Sequence, residues 1–187
     1  MDNRRSFITG IKSTKLSKNE KIFLRKYKPW GVILFTRNIR SIEQTYDLSS
    51  SIRKIFNDNK YPILIDQEGG RVNRLKNIIS FDNLTSEFFG KLFIKNFKEF
   101  KIYYKLFIDK TSYLLKSIGV NINTTPVLDL RYRGASNIIG DRSFSHNPKI
   151  VSKIGDYCIQ YFKENRIGTV IKHIPGHGLA KVDSHHF

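Results

Sequence analysis

The segment Lys172-His173-Ile174-Pro175-Gly176-His177-Gly178, followed by Asp183-Ser184-His185, holds the residues of this sequence best suited to chemistry. A histidine near an aspartate is a proton-transfer unit, because the carboxylate fixes the imidazole tautomer and raises its basicity. Asp183 and His185 stand two residues apart, and four of the five histidines fall between residues 173 and 186. Two other readings compete. His173, His177, Asp183 and His185 offer suitable metal ligand types. Glycines separate them, however, and no helical i, i+4 pair holds them, so no metal is expected. His177, between two glycines, reads most simply as a structural histidine.

Two further clusters carry polar groups. In Asp66-Gln67-Glu68-Gly69-Gly70-Arg71-Val72-Asn73-Arg74, a carboxylate can accept hydrogen bonds from neighbouring sugar hydroxyls, and an arginine can donate to sugar oxygens or an acyl carbonyl. The paired glycines let the chain turn sharply and approach a ligand. The same stretch also reads as a charged turn in which Asp66 caps local backbone donors. Gly140-Asp141-Arg142-Ser143-Phe144 lies in a long loop with Asp129, Arg131, Arg133 and Asn137, and loops of that length usually carry function. Arg142 is either a ligand donor, the favoured reading, or half of an ion pair with Asp141 or another carboxylate.

The elements that must position these groups alternate between strand and helix. Apolar runs at 7–11, 31–35, 62–66, 120–123 and 169–173 read as strands, the second and third buried on both faces. A helix from Leu16 to Tyr27 opens on Ser17 with Glu20 three residues on, a capping box, and is expected to end at Pro29. Ser41 opens a second helix. One mostly helical stretch runs from about Thr85 to Ser117 and ends at Gly119. Its aromatic residues Phe88, Phe93, Phe97, Phe100, Tyr103, Tyr104 and Phe107 are expected to pack in the core. Pro148 starts a last helix to about Asn165, stopped by Gly168. Long crossovers between buried strands imply parallel pairing. Every polar cluster follows a strand, the face on which a parallel barrel builds its site. A (β/α) barrel is therefore favoured over a doubly wound open sheet. The glycine-rich turn a Rossmann fold wants after its first strand is absent.

The 187 residues can bury a core and read as a single domain over 1–187. No apolar run is long enough for a membrane helix. The first residues lack the apolar stretch of a signal peptide, and Cys158, the only cysteine, is read as a core residue; both fit a cytoplasmic protein. The net charge of +17 comes from lysines scattered singly along the chain, with no arginine stripe or zinc-finger signature. That is a solvated surface rather than a specific nucleic-acid interface. The sequence leaves the oligomeric state open.

Together the Lys172–Gly178 and Asp183–His185 motifs resemble the signature of family 3 glycoside hydrolases of the β-N-acetylhexosaminidase branch. The resemblance extends to Gly31-Val32-Ile33-Leu34-Phe35-Thr36-Arg37-Asn38, to Asp66–Val72, to Pro126-Val127-Leu128-Asp129-Leu130 and to Ile139–Phe144, in that order along nearly the whole chain. It implies an α/β (β/α)8 TIM-barrel fold, here incomplete, with about five or six of eight strand–helix units in a chain where a full barrel needs about 250 residues. It implies hydrolysis of terminal non-reducing β-linked N-acetylglucosamine from peptidoglycan-derived fragments, without a cofactor. Asp66, Arg74, Arg142, Lys172 and His173 would bind the sugar. His185 would be the acid/base of a retaining mechanism and Asp183 its partner, where most retaining glycosidases use two carboxylates. The family nucleophile is an aspartate well downstream of the acid/base motif, and no residue here matches it. The chain is accordingly expected to be truncated at its C-terminus and weak or inactive alone. A non-catalytic N-acetylglucosamine-binding remnant is the alternative, and a basic nucleic-acid-binding protein the remoter one.

Overall fold

The computed structural model describes residues 4–132, 134 and 137–180. Asp183 and His185, with Arg133, lie outside the described residues. Five strands form one parallel sheet in the order of the sequence: β1 (Arg5–Gly10), β2 (Pro29–Leu34), β3 (Ile63–Ile65), β4 (Ile122–Asn123) and β5 (Gly168–Thr169). Helices α1 (Lys18–Tyr27), α2 (Ile42–Phe56), α3 (Ser86–Lys95), α4 (Phe97–Ser117) and α5 (Pro148–Glu164) fill the crossovers. A doubly wound sheet reverses its strand order at a switch point. Here the order never reverses, so the sheet is the wall of a barrel of the TIM type, in part.

Local chemistry starts most helices where the sequence places them. The Ser17 side chain accepts from the Glu20 N–H while the Glu20 carboxylate accepts from the Ser17 N–H, completing the capping box. Ser41, Thr85, Asn96 and Asn147 cap the other four helices in the same sense.

Four expectations need correction. Helix α1 ends at Lys28, in the left-handed conformation at φ 45°, and Pro29 already opens β2. The stretch 85–117 is two helices, because Asn96 leaves helical geometry and its side chain caps a new helix by accepting from Glu99. Helix α5 is ended by Asn165 and by Arg166 at φ 58°, and Gly168 begins β5 instead of stopping the helix. The expected fifth strand is also shorter. Among the described residues beyond Thr169 there is a single parallel bridge, Lys172 to Val127.

The core lies between sheet and helices. Val32, Leu34, Ile63, Ile65, Ile52, Phe100, Ile108 and Phe162 are fully buried there. Of the aromatic residues expected inside, Phe100, Tyr104 and Phe107 are buried, and Phe89 joins them. Phe88, Phe97 and Tyr103 are exposed, because they fall on the outward side of their helices. Cys158 is buried, and removal from water pushes its thiol up to about 11.

Side-chain amides bind the loops to the sheet. Buried Asn38 donates to the Ile11 and Ser13 carbonyls and accepts from Phe35 N–H, fixing the exit of β2. Asn123 accepts from Gln67 N–H at 2.9 Å and donates to the Gln67 carbonyl at 2.9 Å, so the backbone between Asp66 and Glu68 is held from both sides.

Gly90 on α3 lies against the loop that carries Arg142. A Cβ there would come within 1.7 Å of the Phe144 carbonyl oxygen. Alanine normally stabilises a helix by up to about 1 kcal/mol over glycine, but overpacking a tight contact costs about 1–3 kcal/mol or more. Gly90→Ala should therefore lower stability, and thermal unfolding of the two proteins measures it.

Candidate active site

The polar clusters converge at the ends of β3, β4 and β5. Asp66 follows β3 directly and accepts from the Thr124 hydroxyl, just beyond β4, and from the Lys172 ammonium at 2.8 Å. Arg74 stands 3.6 Å from the other Asp66 oxygen and lies over the Phe35 ring at 5.7 Å. The Arg74 Nε has no protein partner. The reading of Asp66 as a cap for local backbone donors is not what the structure shows, since these partners are side chains from distant segments.

Lys172 also reaches Glu68 at 2.6 Å, and Glu68 takes a two-point contact from Arg142, Nε at 2.8 Å and Nη2 at 3.0 Å. The ion-pair alternative for Arg142 is thus realised with Glu68. Asp141 pairs instead with Arg71 at 3.0 Å, and Arg71 ties down the loop by donating to the carbonyls of Asn137, Ile138 and Ile139. The result is a chain of alternating charge, Arg74–Asp66–Lys172–Glu68–Arg142. Exposure sorts its members. The Glu68 side chain is 3% exposed and acts inside the protein, whereas Asp66 at 20% and Arg74 at 29% are open to a ligand.

The Gly69-Gly70 turn makes this geometry possible. Both residues have positive φ, 94° and 55°. A Cβ on Gly69 would meet the Leu84 carbonyl oxygen at 2.3 Å.

His173 is placed by Asp129, whose carboxylate accepts from the ring Nδ1 at 2.5 Å and from the His173 backbone N–H at 3.2 Å. The His177 ring stacks on His173 with centroids 4.3 Å apart, and the His177 N–H also points to Asp129. Among the described residues no group of three or more His, Cys, Asp or Glu could hold a metal ion. No helix among them is long and apolar enough to cross a membrane.

Two hollows among the described residues lie apart from the charge chain: one of about 660 Å³ is bordered by Glu87, Leu130, Arg131, Phe144 and His146, and one of about 400 Å³ by Asp129, His173, Pro175 and Gly176. Convergent charge, rather than size, marks the site. Sequence reasoning missed Glu68, Thr124 and Asp129. Each lies within six residues of a strand end, and that position was the available signal.

Three carboxylates are tuned together. Burial pushes Asp66 up, but the Lys172 charge, the hydrogen bonds from Lys172 and Thr124, and Arg74 hold it below the usual carboxylate range. Glu68 is likewise pushed up by burial and held down by Arg142 and Lys172. Asp129 is held down against burial by His173 and the His177 N–H.

Against this geometry stand three comparisons. The model of the glycosyl hydrolase family 3 N-terminal domain matches residues 6–186. The chain belongs to this family. It is 38% identical over 179 residues to a β-hexosaminidase of Hydrogenovibrio crunogenus, covering 95% of this chain and 49% of that protein. A β-hexosaminidase of Bordetella pertussis is 34% identical over 189 residues, covering 96% of this chain and 50% of its own length. The crystal structure of native NagZ from Neisseria gonorrhoeae superposes with a TM-score of 0.87 at 29% identity, over 97% of this chain and 52% of that one. The chain spans about half the length of these relatives.

Carboxylates with lowered values stabilise the fold while ionised, and that stability is lost as pH falls through their folded values. The unfolding free energy should be level above the ordinary values of 4.5 for Glu68 and 3.8 for Asp66 and Asp129, and should drop in more acid solution. Glu68→Gln leaves Lys172 and Arg142 short of a counter-charge. It should cost about 3 kcal/mol at pH 7 and flatten the acid slope, as denaturant titrations from pH 7 to 3 will read.

Proposed function

We propose that residues 1–187 are one barrel unit carrying the sugar-binding part of a β-N-acetylhexosaminidase site. One observation carries this reading: Asp66 and Arg74, from the segment after β3, meet Lys172, from the segment after β5, as a partly open cluster of acceptors and donors. A cluster of this kind matches vicinal hydroxyls and an acyl oxygen, with Asp66 accepting and the cations donating. The curated relatives named as β-hexosaminidases support it. So does the gonococcal NagZ determined with N-trifluoroacetyl-D-glucosamine, 29% identical with a TM-score of 0.87.

In this reading Arg142, held by Glu68 and by the Ile138 carbonyl, binds the sugar together with Lys172 and His173. The substrate is terminal N-acetylglucosamine on peptidoglycan-derived fragments, turned over in the cytoplasm. His185 protonates the leaving oxygen and, once neutral, activates water in a retaining second step, with Asp183 as its partner. No residue of this chain is assigned the part of nucleophile. The surplus of lysine serves as a solvated surface.

Calorimetry with N-acetylglucosamine should show binding to the 187-residue chain. Lys172→Ala should weaken it about tenfold or more, as expected when a buried carboxylate pair loses its cation. Release of 4-nitrophenol from the β-N-acetylglucosaminide should be slow, and His185→Ala should remove it while leaving sugar binding in place. No heat at millimolar sugar would reject the proposal, and robust turnover by this chain would reject the missing-nucleophile part.

A further inference from the structure

Asp129 is more deeply buried than any sugar-site group. Its side chain has no exposure, against 25% for His173. The described partners of its carboxylate are three nitrogens of one loop: the backbone N–H groups of His173 and His177, and His173 Nδ1. Gly176, at φ 122°, lets this loop fold over the carboxylate, and a Cβ there would come within 3.4 Å of Asp129 Oδ1. The carboxylate is itself anchored, since the Ser143 hydroxyl donates to the Asp129 carbonyl at 2.6 Å and the following Leu130 backbone is packed against Gly178.

A carboxylate has no proton to give while ionised, so it can only accept from Nδ1. In the neutral imidazole this leaves Nε2 with a lone pair. We propose that Asp129 is a positioning residue: it fixes His173 in the Nδ1–H tautomer, so that Nε2 accepts a hydrogen bond from a ligand hydroxyl, and it pins the loop between His173 and Gly178. The inference rests on the sugar-binding reading for the identity of the ligand, and on geometry alone for the tautomer. It divides the labour between the two residues that follow β5. Lys172 can only donate and His173 accepts at Nε2, so the two offer a hydroxyl-bearing ligand opposite hydrogen-bonding roles. Without Asp129 the ring is free to carry its proton on Nε2, which would then donate instead of accepting.

The test has two readouts. The chain is labelled with ¹⁵N-histidine and long-range ¹H–¹⁵N correlations are recorded well above the imidazole titration, at about pH 8. The His173 signals are assigned by their loss in His173→Gln. Neutral His173 should carry its proton on Nδ1, and in Asp129→Asn the proton should move to Nε2. Affinity for N-acetylglucosamine, measured on the same two proteins, should fall about tenfold in Asp129→Asn, the cost of one hydrogen bond lost and one buried group left unpaired. A proton on Nε2 in the unaltered chain overturns the proposal. So does an unchanged tautomer in Asp129→Asn, or a moved proton with unchanged affinity. Should Asp129→Asn fail to fold, the spectrum of the unaltered chain still decides the tautomer. Absence of sugar binding by the unaltered chain, with the proton on Nδ1, counts against the sugar-binding reading and leaves the hold of Asp129 on His173 standing.

Discussion

The Lys172 ammonium, seated between Asp66 and Glu68, is the contact on which the rest of the site depends. Taking ionised groups out of water is costly, and mutual attraction recovers the cost only when every partner is well placed. Here the signs alternate from Arg74 to Arg142, so each buried charge has an opposite neighbour. Apolar residues in the same places would often make an equally stable protein. What the charges supply is placement: one ammonium fixes two carboxylates after β3 and the chain after β5.

Around that contact the protein is arranged in depth. Glu68 and Asp129 are almost fully buried. Asp66, Arg74 and His173 are partly open and are oriented by what lies behind them. Groups held this way need little reorganisation when a ligand arrives, which a binding site built on rigid strand ends can exploit. The Asn123 amide contributes from further back, holding the Gln67 backbone so that its two acidic neighbours point in the required directions.

Much of this was legible before any coordinates. Apolar runs gave the strands, and the helix starts followed from Ser17, Ser41 and Pro148. The position of polar motifs after strands led to the barrel face where Asp66 and Lys172 meet. The errors have physical sources. Asn96 broke the long helix because a side-chain cap competes with helical hydrogen bonding, and an unbroken apolar pattern hides such a competition. Gly168 was taken for a helix stop when asparagine and a left-handed arginine had already ended the helix. Glu68 and Asp129 were passed over because their importance lies in partners 74 and 44 residues away, and spacing along the chain carries no trace of such pairs.

The strand order has a consequence for how the site comes into being. Asp66 and Lys172 are separated by 106 positions, with β4 and two long helices between them. The contact forms only after an extensive loop has closed, and closing long loops is what slows folding and exposes intermediates. Until the segment after β5 is in place, Asp66 and Glu68 lack the ammonium they share, and its arrival supplies the opposite charge. Any ligand that binds the completed cluster draws the folding equilibrium toward the finished wall.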